Sequence, residues 1–151
     1  MEFEINFMSS RIKFKVVTPE KTVFEEEIDQ ATLPVANGEV TILPNHRSYI
    51  ASLKAGEAIL KKDGEEISLS VAGGFIEFNK NNLVVLADRA ERAEDIDLGR
   101  AEEARKRAEA VMKEKITDDT EYARMAAALE KELARIKVGR KHHTKRGMKI
   151  N

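Results

Sequence analysis

Residues 33–56 read LPVANGEVTILPNHRSYIASLKAG, and this run decides what kind of fold the chain can adopt. Asn37-Gly38 supplies the dipeptide that favours a two-residue hairpin turn. Glu39, Thr41 and Leu43 alternate with Val40 and Ile42, the period of two expected of a strand with unlike faces. Pro44-Asn45-His46-Arg47 then makes a polar corner, because proline fixes φ and asparagine tolerates left-handed geometry. Tyr49, Ile50, Ala51 and Leu53 return as strand, ending at Gly56.

Outward from this run the same grammar repeats. Arg11-Ile12-Lys13-Phe14-Lys15-Val16 alternates polar and apolar, Thr18 to Lys21 turns, and Val23 through Leu33 pairs back. Asp63-Gly64 between two apolar runs is a strong hairpin signal. Gly73-Gly74 punctuates before Phe75-Ile76-Glu77-Phe78, residues 79–82 turn, and residues 83–87 form a buried strand. Short strands with a turn every eight to twelve residues predict a sandwich or barrel. All six phenylalanines and all three prolines precede residue 80, so the bulky core lies there too.

Composition changes after Ala87. Residues 88–95 read as a charged connector, followed by a chain rich in Ala, Glu, Lys and Arg. Ala101, Ala104, Ala108, Val111 and Met112 follow helical spacing, as do Tyr122, Met125, Leu129, Leu133 and Ile136. Thr117-Asp118-Asp119-Thr120 interrupts the pattern and supplies N-cap side chains, while Gly139 is the expected stop. The expected architecture is an antiparallel β-sandwich at residues 11–88, then an antiparallel two-helix hairpin at residues 89–138. An N-terminal extension at residues 1–10 and a basic tail at residues 139–151 flank them. An alanine seam buries little area, at about 0.8 kcal/mol per methylene-sized group, so the hairpin is expected to be able to leave its packed position.

Bulk properties exclude several classes. With no cysteine there is no disulfide framework or thiolate metal site. No apolar run spans a bilayer, and MEFEINFMSS lacks the apolar segment of a signal peptide. A net charge of −1 gives no overall pull toward nucleic acid or membrane. His46 lies in a turn without an acidic orienter, and adjacent His142-His143 do not converge on a metal, so tail solvation is expected. Gly73-Gly74 precedes a strand, not a helix, and is better read as a tight turn or close backbone contact than as a phosphate loop. Asp97 at a helix start caps that helix. The stripe Lys131, Arg135, Lys137, Arg140 and Lys141 lacks interleaved aromatics, which argues against nucleic acid.

Gly38, Glu39, Ile42, Leu43, Pro44, His46, Leu53, Lys54 and Gly56 together resemble the GE-x-x-IL-P-x-H…L-K-x-G segment of the epsilon subunit of F-type ATP synthases, equivalent to the mitochondrial delta subunit. The resemblance runs from about Arg11 to about Val138. Thr41 and Asn45 stand where the family often has glycine; Thr41 is then expected in ordinary strand conformation and Asn45 in a turn. The resemblance implies a non-catalytic rotor subunit of the central stalk that couples gamma to the c ring and regulates ATP hydrolysis through its hairpin. It would be peripheral to the membrane, on the cytoplasmic face in bacteria. Ile96-Asp97-Leu98-Gly99-Arg100-Ala101 is similar to the family's I/L-D-x-x-R-A motif. It implies a regulatory ATP site drawing on Glu91, Asp97, Arg100, Ala101, Arg107 and Arg135, with Lys131 replacing one arginine. No metal and no obligatory cofactor is implied. The resemblance further implies partner contacts at Gly38, Glu39 and His46, and, when the hairpin extends, contacts of Lys131 and Arg135 with a catalytic β subunit. The alternative is a free-standing adaptor whose sandwich and hairpin mediate protein–protein contacts.

Overall fold

The computed structural model describes residues 10–114 and 118–150. The N-terminal extension, with Phe3 and Phe7, lies outside the described residues apart from Ser10, as does Thr117. Eight strands come first: β1 Ile12–Val17, β2 Thr22–Ile28, β3 Gln30–Val35, β4 Gly38–Ile42, β5 Tyr49–Ser52, β6 Gly56–Lys62, β7 Glu65–Asn79 and β8 Asn82–Arg92. A 3-10 turn at Ala93–Asp95 leads to helices α1 Leu98–Lys113 and α2 Asp119–Ile150. The strands order β2-β1-β8-β7-β6-β3-β4, with β5 pairing to β7. All pairs are antiparallel except β1 with β8.

The sheet becomes a sandwich because β7 changes partner along its length. Residues 65–71 pair with β6 and residues 75–78 with β5, while β8 follows its other edge. Gly73 (φ 67) and Gly74 (φ 111) sit between the two stretches. A Cβ on Gly74 would lie 1.8 Å from the Leu86 carbonyl oxygen, so only glycine fits. Of the two readings of this pair the structure selects the close backbone contact, and the strand passes through it unbroken. Alternation in β1 turns Ile12, Phe14 and Val16 inward, where they join Phe24, Ile28, Ile42, Leu60, Leu69, Ile76, Phe78 and Leu83 in one buried core. Phe75 departs from the expectation of core phenylalanines: it faces outward. Arg11 pairs with Asp29 at 3.1 Å and Asp63 at 3.4 Å, while Lys62 reaches Glu26 of β2 at 3.4 Å.

The turns follow their chemistry. Asp63 (φ 51) and Gly64 (φ 79) both adopt positive φ between β6 and β7, as do Lys80 (φ 48) and Asn81 (φ 61) between β7 and β8. Asn45 is left-handed at φ 68. Thr41 lies in β4, its hydroxyl 3.0 Å from that of Thr32 on β3. The β3–β4 turn is displaced by one residue from its sequence reading: Ala36 and Asn37 form it, and Gly38 (φ 124) already pairs with Val35.

Two helical boundaries differ from the sequence reading. The residues expected as a charged connector continue β8 to Arg92, because β7 offers them a pairing edge from Leu69 to Ala72. Gly139 does not stop α2. It is buried inside the helix, where a Cβ would lie 2.8 Å from Leu98 Cδ2 and 3.2 Å from Ile96 Cγ2. The missing side chain brings α2 close to the chain entering α1, and Val138 completes a small cluster with Ala93 and Ile96. Residues 140–150, expected as a tail, therefore prolong α2. At its start Asp118 caps the helix, accepting from the Thr120 N–H at 2.9 Å.

Candidate functional site

The helical seam is built from small residues, as the spacing predicts. Ala101 and Ala108 of α1 are buried, with Ala104, Val111 and Met112 half-buried. On α2 the stripe is only partly inward. Ile136 is buried and Met125 and Leu129 are half-buried, whereas Tyr122 and Leu133 face outward. Their place on the inner face is taken by Glu132, which is only 5% exposed.

A buried carboxylate needs cationic partners, and Glu132 has two. Arg135 Nη1, one helical turn on, donates to Glu132 Oε2 at 2.7 Å, and Lys131 Nζ lies 3.5 Å from Oε1. The other side of the Arg135 guanidinium turns to the sandwich, placing Nε 3.0 Å from Glu91 Oε1, while Nη2 donates to Glu91 Oε2 at 3.4 Å. Burial of Arg135 opposes its charge. The hydrogen bond to Glu132 and the fields of Glu91 and Glu132 outweigh that, raising its pKa above the ordinary arginine value. One side chain thus bridges the end of β8 to the middle of α2.

The other residues of the inferred nucleotide site lie around the start of α1. Asp97 is its N-cap, accepting from the Arg100 N–H at 3.1 Å. The Arg100 side chain is 84% exposed, 3.7 Å from Asp97. Ala101 is buried in the seam and presents no polar side-chain atom. Arg107 is exposed and makes no ion pair with the described residues. The fold therefore joins Glu91, Arg135 and Lys131 through Glu132 and leaves Arg100 and Arg107 extended into solvent. Glu132 was absent from the sequence reading. Its signal is local: an acid three residues before Arg135 within a basic stripe.

Four of the five cations in that basic stripe are paired, Lys137 being exposed with no ion pair among the described residues. Arg140 pairs with Glu102 of α1, and Lys141 Nζ lies 2.9 Å from Glu57 of β6. Glu102 titrates below the ordinary glutamate value, first because Arg105 donates to it; burial opposes this, and the charges of Arg105 and Arg140 add to the lowering. His142 and His143, expected in a solvated tail, lie in α2 with rings edge-on at 6.3 Å. His142 is half-buried and its Nε2 is shut from solvent. Among the described residues no group of three or more His, Asp or Glu is arranged to hold a metal ion.

The expected interface residues of the sandwich lie on its β3–β4 hairpin and on the corner after β4. Gly38 and Glu39 are exposed on the β3–β4 hairpin, opposite Val35 and Pro34. His46 turns its ring inward, edge-on to Tyr49 at 6.1 Å and Phe78 at 5.9 Å. Its Nδ1 donates to the Arg47 carbonyl at 2.7 Å, so the ring braces the corner.

Comparison with known proteins follows this division of the chain. The pattern of the ATP synthase delta/epsilon chain β-sandwich domain matches residues 11–93, and that of its long α-helix domain matches residues 94–139. The chain belongs to the ATP synthase epsilon family. It is 46% identical over 132 residues to the ATP synthase epsilon chain of Dehalococcoides mccartyi, covering 87% of this chain and 94% of that one. The epsilon chain of Geobacter sulfurreducens is 41% identical over 134 residues, covering 89% and 97%. A solved chain from the Euglena gracilis mitochondrial ATP synthase (OSCP/F1/c-ring) shares the fold, with a TM-score of 0.68 at 20% identity over 80% of this chain and 76% of that one. Another, from the central stalk and c-ring of the Tetrahymena thermophila mitochondrial enzyme, gives 0.55 at 15% identity, over 87% and 95%. Membership makes the chain a subunit of a membrane-associated synthase, and no described helix is long and apolar enough to cross a bilayer.

Proposed function

We propose that the chain is a non-catalytic rotor subunit of an F-type ATP synthase, on the cytoplasmic face of the bacterial membrane. In this reading the sandwich couples gamma to the c ring and the helical hairpin restrains ATP hydrolysis when it detaches. The observation that carries the regulatory part is the Arg135 bridge between Glu91 and Glu132. Lys131, Arg135, Arg140 and Lys141 are neutralised by acids of this chain while the hairpin is packed. Of these, Arg135 and Lys141 are held by sandwich acids, Glu91 and Glu57, and exchange those partners for an acidic loop of a catalytic β subunit only when the hairpin lifts. A packed hairpin thereby withholds the surface that would inhibit.

ATP is the proposed regulatory ligand, not a substrate. Arg100 and Arg107 offer guanidinium forks suited to phosphate oxygens, and Arg135 stands where β8 meets α2. Lys131 contributes only a point charge in place of a fork, which weakens binding. A ligand held only by the packed state stabilises it by RT ln(1 + [L]/Kd), or about 1.4 kcal/mol at ten times Kd. Titrating the full chain with ATP while following thermal unfolding tests this. A rising midpoint is expected, and an unchanged midpoint at millimolar ATP would remove the nucleotide from the reading.

The coupling role is supported by an outward apolar face on the sandwich. Phe75 is 60% exposed and Leu86 53% exposed, paired directly across β7 and β8, with Val17 beside Leu86 on β1. A shallow cavity of about 330 Å³ opens between them and Pro19. Paired apolar side chains of this size on the outer face suit a protein partner, and gamma is the partner proposed for it. The β3–β4 hairpin, with Gly38 and Glu39, is assigned to the c-ring side. Recovery of the chain with gamma and c subunits from solubilised membranes is the expected result.

A further inference from the structure

The family's helical pattern ends at residue 139, yet α2 continues without a break to Ile150. Two lysines of the added turns reach back to the sandwich. Lys141 Nζ lies 2.9 Å from Glu57 Oε1 on β6, and Lys145 Nζ lies 3.3 Å from Glu66 Oε1 on β7. Glu57 is anchored in turn by the Ser68 hydroxyl at 2.9 Å, and its side chain is only 13% exposed. Arg140 reaches sideways to Glu102 of α1, so three successive cations tie one helix to β6, β7 and α1. Between Lys141 and Lys145, His142 fills the edge of a cavity of about 180 Å³ lined by Phe24, Ile67 and Arg92. The spacing of four residues puts Lys141 and Lys145 on one helical face, over two acids of the same β6–β7 hairpin.

We infer that residues 140–147 form an ion-pair latch that sets how often the hairpin leaves the sandwich, and that ionic strength tunes it. The latch deepens the proposed regulatory role and rests on that reading only for its physiological meaning. Its physics is independent of nucleotide and of partner subunits. The alanine seam contributes little area, so a few ion pairs weigh heavily in the equilibrium between packed and detached states. An exposed pair shifts such an equilibrium by up to about fivefold, and removing Lys141 additionally strands the sheltered Glu57 carboxylate without its cation. Salt screens exposed charges separated by more than about 10 Å at 0.1 M and by about 3 Å at 1 M, so the latch weakens over that range.

Hydrogen–deuterium exchange on the isolated full chain, at low and high NaCl, tests the latch. In low salt, Lys141→Gln with Lys145→Gln is expected to speed exchange of α2 amides about five- to tenfold, leaving the β-sandwich amides unchanged. High salt should bring the wild type toward that variant. Lys137→Gln removes an exposed cation of the same helix that makes no ion pair with the described residues, and should exchange as wild type. Swapping the charges, Glu57→Lys with Lys141→Glu, should restore slow exchange. Wild-type exchange in the Lys141/Lys145 variant, or equal acceleration by Lys137→Gln, would overturn the latch. Neither outcome depends on ATP, so a failed nucleotide titration and a failed latch are separately visible.

Discussion

The sandwich and the hairpin are held by different forces, and the contrast is what the proposed division into a rigid link and a moving part rests on. The sandwich buries three phenylalanines (Phe14, Phe24 and Phe78) with isoleucines and leucines in one continuous core. Burial of that kind is not weakened by charge screening and is lost only by unfolding. The hairpin's interior offers Ala101, Ala108, Ile136 and Val138, and its attachment is largely charge on charge: Arg135 with Glu91, Lys141 with Glu57, Lys145 with Glu66. Local opening draws on the region of lower stability. The proposed lifting of the hairpin would on these grounds leave the body beneath it intact.

The sharpest way to break this contrast is from the core. Phe78→Ala should cost about 4 kcal/mol and lower the denaturation midpoint of the sandwich and hairpin together, since the helices have nothing else to dock on. A hairpin that stayed ordered over a melted sandwich would refute the dependence. Removing one attachment should instead act on the hairpin alone. Arg135→Ala leaves Glu132 buried without its main partner and should cost about 3 kcal/mol of docking. Exchange should speed in α2 while the sandwich midpoint holds. Adding Glu132→Gln should recover much of the loss, because the stranded charge then disappears. The smallest effect is acid-dependent. Glu102 has a folded pKa below its ordinary value, so its pairing with Arg105 and Arg140 stabilises the hairpin above that ordinary value. The contribution is lost as pH falls through the folded pKa. Glu102→Gln should flatten that part of the profile, measured as α2 exchange against pH.

How far this arrangement could be read in advance depends on whether each signal is local. Asp63-Gly64 takes positive φ at both residues because the turn chemistry is contained in two residues. Asn45 is left-handed for the same reason. Gly139 misled because a glycine near a helix end usually marks a stop, whereas here its use is fixed by Ile96 and Leu98, some forty residues earlier. The connector became strand for a similar cause: β7 supplies an edge invisible in the residues themselves. At the candidate site, the helix cap at Asp97 was legible from spacing, and Glu91 and Arg135 were named through family resemblance. Glu132 was not, because an acid among lysines and arginines looks solvated until the helix is docked and that face turns inward.

The parallel pairing of β1 with β8 carries a consequence for biogenesis. Lys13 lies opposite Asn82 and Val17 opposite Leu86, so the first strand finds its inner neighbour only after nearly the whole sandwich has been synthesised. Pairings so distant along the chain are slow to close, on the millisecond-to-second scale typical of β topologies. In the emerging polypeptide β1 lacks its inner partner until β8 leaves the ribosome. The helices follow last, and meet a finished surface.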